Sequence, residues 1–199
     1  MPDSSSVVTD PFAKFQEWMT EAWSHEPEDA NAMTLATATP GGIPSARIVL
    51  LKGADTRGFV FYTNVDSRKG EELAANTHAA LLFHWKPQAR QVRIEGRVEP
   101  VTDAESDAYF ATRARVSRLG AWASDQSREL PERALLERRL AEFEAKYPSD
   151  DIPRPPNWSG FRVIPTRFEF WQGMPFRLHD RTVYTRAAAG GWTIGKLYP

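Results

Sequence analysis

The sequence predicts a mainly β fold with flanking helices, an antiparallel Greek-key-like β-barrel in a single domain. Three observations carry that prediction. Short β-branched and aromatic runs recur between turn residues, helical stretches are few, and they do not alternate one for one with the strands. A regular βαβ alternation would give a parallel, doubly wound sheet instead. Neither G-x-G-x-x-G nor G-x-x-x-x-G-K-[ST] occurs, so the two best-known phosphate-binding loops of such sheets have no support.

In chain order, Asp10-Pro11 reads as an N-cap followed by proline at the first helical position. Phe12, Phe15, Met19 and Ala22 recur at helical spacing, so a first helix runs to about Ser24. Strands follow at Ala32 to Ala38, Ser45 to Lys52 and Phe59 to Thr63, parted by the turn segments PGGIP and ADTRG, as an antiparallel meander. A short helix begins at Ser67. Strands return at His78 to Trp85 and Gln91 to Val101, and helices fit Asp103 to Arg115 and Pro131 to Lys146. The last part is β again, at Phe161 to Trp171, Arg177 to Arg186 and Trp192 to Leu197.

A chain of 199 residues is long enough for one well-buried core and short for two independent domains, so residues 1–199 are expected to form one unit. Residues 1–9 are expected to be flexible, and the linker-like Tyr147 to Pro156 is too short to set a domain boundary. The net charge of -1 gives no general attraction to nucleic acid or anionic membrane. Any anion site must therefore be built from locally clustered cations. With no cysteine and only four histidines, neither a disulfide framework nor a structural zinc site is expected. The N-terminal residues lack the basic start and apolar run of a secretory signal, and no apolar stretch approaches bilayer length, which makes cytoplasmic residence the expectation.

Four cation clusters invite a chemical reading. In Ser67-Arg68-Lys69-Gly70, two cations in a first helical turn oppose the macrodipole, and a bound anion would reverse that penalty; two solvated surface charges are the alternative. Tyr109, Arg113 and Ser117 are spaced four and four. On a continuous helix they would form one stripe of two hydroxyls and a guanidinium, a plausible phosphate cradle, unless Tyr109 packs in the core and Arg113 pairs with a nearby acid. Arg177, His179 and Arg181 alternate, which in a strand puts all three on one face, where like charges destabilise a sheet unless an anion intervenes. An edge strand with solvated arginines is the competing reading. Arg47 and Lys52 are five apart and would face opposite sides of a regular strand unless a bulge unites them. Gln91, Arg93, Glu95, Arg97 and Glu99 share the polar face of one strand, mostly as a solvated charge ladder. No Ser-His-Asp order, G-x-S-x-G elbow or obvious carboxylate pair is present. Phosphate-type cations without a nucleophile suit a cofactor that supplies the chemistry while the protein orients it.

Together the motifs resemble the pyridoxamine 5'-phosphate oxidase family over nearly the whole chain. The matching stretches are RIVLLK at Arg47 to Lys52, FYTN with SRKG at Phe61 to Gly70, and RQVRIEG at Arg90 to Gly96. GAWASDQS at Gly120 to Ser127 and EFWQG with RLHDR at Glu169 to Arg181 complete the set, in the family's order. The resemblance implies an FMN-binding split-barrel homodimer, with two FMN molecules at the subunit interface and a C-terminal dimerisation and substrate region at about 157–199. It places FMN contacts on Arg47, Ile48, Val49, Leu50, Leu51, Lys52, Tyr62, Thr63, Arg68, Lys69, Gln91, Gln126, Ser127, Trp171 and Arg181. Substrate contacts fall on Lys52, Tyr109, Arg113, Ser117, Arg177 and His179, the last two also catalytic. Arg47, Arg68 and Lys69 would serve the phosphate of FMN, and Lys52, Tyr109, Arg113 and Ser117 that of the vitamer.

The implied reaction oxidises pyridoxamine 5'-phosphate or pyridoxine 5'-phosphate with O2 to pyridoxal 5'-phosphate and hydrogen peroxide, with ammonia released from the amine. Two departures are visible. The chain has only nine residues before Asp10-Pro11, where some members carry an arm that closes over substrate, and the usual C-terminal R-L-x-P reads Lys196-Leu-Tyr-Pro199. Lysine keeps the charge but loses the guanidinium's fork. The alternatives are a phenazine-type split-barrel oxidase and a noncatalytic flavin- or haem-binding module. Retention of Lys52, Tyr109 and Arg113 favours the vitamer phosphate over both.

Overall fold

A computed structural model describes residues 9–199. The expectation of a flexible 1–9 lies, apart from Thr9, outside the described residues. Helix α1 (Pro11–His25) begins where Asp10 accepts the Phe12 N–H at 3.0 Å. The strands are β1 (Ala32–Ala38), β2 (Pro44–Leu50), β3 (Gly53–Asp55), β4 (Gly58–Asn64), β5 (His78–Trp85), β6 (Arg90–Pro100), β7 (Trp158–Gln172), β8 (Asp180–Arg186) and β9 (Trp192–Lys196). The remaining helices are α2 (Arg68–Ala75), α3 (Asp103–Ala111), α4 (Arg115–Ala123) and α5 (Arg133–Lys146).

Every strand pair is antiparallel, in the order β2-β1-β5-β6-β7-β4-β3, with β8 and β9 branching from β7. The fifteen-residue β7 makes this branching possible. One of its edges pairs with β6 from Phe161 to Gln172; the other pairs with β4 over Trp158–Val163 and with β8 over Arg167–Gln172. The handover falls at Pro165, which has no N–H to donate, and the β6 register shifts opposite it between Glu95 and Gly96. The sheet therefore curls into an open half-barrel.

Helix α1 fills that half-barrel. Its residues Phe12, Phe15, Trp18, Met19 and Ala22 are buried at helical spacing against Met33, Leu35, Phe59, Phe83, Phe168 and Phe170. The rings meet mostly edge to face, as Phe15 does with Phe59 at 4.9 Å and with Phe83 at 5.1 Å. A smaller cluster of Phe110, Leu119, Ile152 and Trp158 ties the α3–α5 layer to the start of β7.

Several sequence expectations need correction. The single helix expected over Asp103 to Arg115 is two helices, broken at Thr112, whose N–H and hydroxyl both return to the Tyr109 carbonyl. The turn segment ADTRG opens on the last two residues of a short strand, β3, at Ala54 and Asp55. The expected strand Ser45 to Lys52 ends at Leu50, because the Leu51 N–H bonds to Asn31 and the Lys52 N–H to Val60. Most consequential is Arg177 to Arg186, which is extended only from Asp180. Phe176 (φ 57°) and Arg177 (φ 62°) are left-handed in a 3-10 turn, so Arg177 and His179 do not share a strand face with Arg181. No helix among the described residues is long and apolar enough to cross a membrane.

Candidate active site

A cleft of about 580 Å³ opens between β2, β4, α2 and the α3–α4 corner. Arg47, Ile48, Val49 and Leu50 enter it from β2, and Lys52 follows from the crossing that transfers the chain from β1 to β4. No bulge is needed to unite Arg47 and Lys52; the strand simply ends between them.

The turn from β4 into α2 sets the next group. Ser67 donates to the Asn64 carbonyl at 2.6 Å and caps the helix by accepting from the Gly70 N–H. A Cβ on Gly70 would overlap the Val65 carbonyl, so glycine is what lets α2 begin this close to the end of β4. The turn directs the Lys69 ammonium to Thr63, Ser67 and Gln126, at 3.2, 3.2 and 2.5 Å. None of these partners carries charge. Burial, reinforced by the nearby Arg47, lowers the Lys69 pKa.

The far wall is aromatic. Tyr62 stacks on Tyr109 at 4.2 Å and on Trp158 at 5.2 Å. The Arg113 guanidinium lies 4.9 Å over Trp158, with its Nη1 buried and without a hydrogen-bond partner. Arg113 makes no ion pair among the described residues, so the alternative of a nearby acid does not hold, and burial lowers its pKa. The helix break leaves Tyr109, Arg113 and Ser117 on two elements rather than one stripe, yet all three line the cleft.

Leu51, Arg68 and Ser127 do not line this cleft, Leu51 being packed in the core. Arg68 is ion-paired with Glu72 at 2.8 Å, and Ser127 (φ 71°) lies on the loop after α4. Gln91, Trp171 and Arg181 lie together in a second cleft of about 210 Å³ that shares no residue with the first. There Arg181 is bonded to the buried Glu169 at 2.8 Å and to the Tyr198 carbonyl. His179 packs on the Trp171 ring at 4.5 Å and accepts the Met174 N–H, while Arg177 is exposed on the turn and lines neither cleft.

Sequence reasoning missed Trp158, Glu72 and the small residues Gly120, Ala121 and Ser124. Glu72 stands four residues after Arg68, a spacing that signals an ion pair, and it is buried. The small residues sit inside the GAWASDQS stretch. Trp158 carried no signal separating it from a core aromatic.

A curled antiparallel half-barrel with a cation-lined cleft at its helical corner defines a protein of the FMN-binding split-barrel fold class. PhzG from Burkholderia lata, solved with tetrahydrophenazine-1-carboxylic acid, superposes with a TM-score of 0.92 at 32% identity, over 100% of this chain and 97% of that one. A family model described as pyridoxamine 5'-phosphate oxidase matches residues 19–147, and one described as the pyridoxine 5'-phosphate oxidase C-terminal dimerisation region matches residues 158–199. Proteins named pyridoxine/pyridoxamine 5'-phosphate oxidase from Sphingopyxis alaskensis and Rhodospirillum rubrum are 63% and 62% identical, each over 98% of this chain and over 90% and 100% of their own lengths. The chain belongs to the pyridoxamine 5'-phosphate oxidase family and is an oxidase of vitamin B6 metabolism.

Proposed function

We propose that this chain, as a homodimer holding FMN, oxidises pyridoxamine 5'-phosphate or pyridoxine 5'-phosphate with dioxygen to pyridoxal 5'-phosphate. One dioxygen becomes one hydrogen peroxide per turnover, and the amine substrate also takes up water and releases ammonia. The observation that carries this reading is a pair of half-buried cations, Lys69 and Arg113, that line one cleft without a carboxylate partner among the described residues. Burying such charges is costly unless an anion meets them. A single cleft with two such cations suits a flavin phosphate at Lys69 and a vitamer phosphate at Arg113.

Bound FMN would supply the two-electron acceptor chemistry and its reoxidation by dioxygen. The protein's part is placement. Arg47 and Lys69 would hold the flavin phosphate, with Thr63 and Gln126 fixing the ammonium. Lys52, Tyr109, Arg113 and Ser117 would hold the substrate phosphate and so orient the pyridine ring. Arg177 and His179 would approach the ring from a second subunit, since they lie apart from this cleft in their own chain.

Two features support the dimer. The residues assigned to the flavin are divided between clefts that share no residue, so a second copy is needed to complete one site. Ile48, Leu50, Phe176 and Leu178 are large apolar side chains left exposed at 64, 42, 92 and 68%.

The test is oxygen uptake by FMN-loaded protein. Both phosphorylated vitamers are expected to turn over and unphosphorylated pyridoxine to be at least about a hundredfold poorer in kcat/KM. No uptake with either vitamer would remove the proposal.

A further inference from the structure

We propose that Glu72 is a positioning residue of the phosphate subsite: its carboxylate turns the Thr37 and Ser45 hydroxyls so that they fix the Arg47 guanidinium in the cleft before any ligand arrives. The inference rests on reading Arg47 and Lys69 as contacts of a flavin phosphate. Glu72 lies in α2 with its side chain only 5% exposed. Its Oε2 accepts from the Thr37 hydroxyl and from the Ser45 hydroxyl, the latter at 2.5 Å, and its Oε1 accepts from Arg68 Nε at 2.8 Å.

The polarity of these bonds runs one way. A hydroxyl has a single proton, and both hydroxyls give theirs to the carboxylate. They must then present lone pairs to Arg47, whose Nη1 donates to Thr37 at 2.6 Å and whose Nη2 donates to Ser45. The Leu35 carbonyl takes a further Nη1 bond at 3.2 Å, and Nη2 comes within 3.4 Å of Glu72 itself. Without an acceptor at Glu72 the two hydroxyl protons would be free to turn toward the guanidinium and repel it.

Burial alone would raise the Glu72 pKa, but the bonds from Ser45, Thr37 and Arg68 overrule it and hold the carboxyl at about 2, so the relay is set at any physiological pH. Charge fits as well. Glu72 pairs with Arg68 outside the cleft and approaches Arg47 only at 3.4 Å, so the cleft itself presents Arg47 and Lys69, two cations that complement a phosphate monoester dianion.

The experiment is equilibrium titration of the flavin-free full chain with FMN and, separately, with riboflavin. Glu72→Ala is expected to weaken FMN by at least about tenfold while riboflavin stays within about twofold. Glu72→Gln keeps one acceptor oxygen for the hydroxyls, and FMN affinity should stay within about threefold of the parent. Equal loss for both flavins, or no loss for FMN, in Glu72→Ala would overturn the role and leave Glu72 a purely structural residue. Should Glu72→Ala not fold, the double variant Thr37→Val, Ser45→Ala removes the relay and keeps the carboxylate. It should show the same FMN-selective loss, and an unchanged preference for FMN over riboflavin would refute the relay. A parent protein with no preference for FMN would instead sink the phosphate reading on which the proposal stands.

Discussion

A guanidinium taken out of water without an acid to meet it stores unfavourable free energy that a ligand can release. Arg113 is in that position, with Nη1 unbonded above Trp158. Arg113→Ala is expected to raise KM for pyridoxine 5'-phosphate at least about tenfold, roughly 1.4 kcal/mol, with flavin stoichiometry unchanged. Steady-state kinetics and flavin absorbance check it, and a loss of flavin instead would move Arg113 to the cofactor. Arg177, His179 and Arg181 give a contrast at the same scale. Arg181→Ala strips the buried Glu169 of its closest cation and should lower thermal stability and flavin retention first. Arg177→Ala and His179→Ala are expected to keep flavin and lower kcat/KM by at least about tenfold. Similar flavin loss in all three would abolish the distinction. The sequence showed these residues as a triplet of alternating cations, but alternation means a shared face only on extended backbone. Two consecutive left-handed residues at Phe176 and Arg177 break it, with no glycine to announce them.

Among the elements, β1, β2, β5, β6 and α1 were legible because their burial follows the periods that strands and helices impose. The endings were not, since they depend on distant partners. The stop after Leu50 comes from Asn31 and Val60, and the break at Thr112 comes from a side chain competing with its own helix. The site profits from both, since each redirects a chain into the cleft. The turn at Gly70 is the most constrained of these joints. Gly70→Ala must push α2 away from Val65, and a fall in thermal midpoint of several degrees is expected together with weaker FMN binding, read by calorimetry and flavin fluorescence. An unchanged midpoint would show that the turn can relax without cost.

For the molecule as a whole, the sequence conveyed cations in the right families of positions but not their division between two clefts, which only the folded sheet reveals. If a second copy completes the site, flavin retention should fall on dilution in step with dimer dissociation, followed by fluorescence and sedimentation. A monomer that still holds FMN would contradict it. Acid should also unfold the protein from the phosphate corner. The Glu72 pKa lies near 2 against an ordinary 4.5, so its stabilising contribution is complete above about pH 4.5 and is lost as pH falls toward 2. Asp55, Glu105, Asp125 and Glu169 are lowered too and add to the same limb. Thermal midpoints between pH 7 and 3 should therefore fall less steeply in Glu72→Gln than in the parent.

The shared edge of β7 also governs how the chain can be made. Phe59 pairs with Val163, about a hundred residues later, so β4 leaves the ribosome well before its partner exists. At roughly 5–20 residues per second this leaves an apolar strand waiting for about 5–20 s. During that interval β6 has only β5 beside it, and α1 has no closed wall to fill. Nascent chains arrested before Trp158 should be readily cleaved by protease, and those carried past Gln172 and clear of the exit tunnel should resist. Protection arriving gradually along the chain would mean that the half-barrel assembles without its longest strand. Abrupt protection would make β7 the clasp whose late arrival sets the period of vulnerability during synthesis.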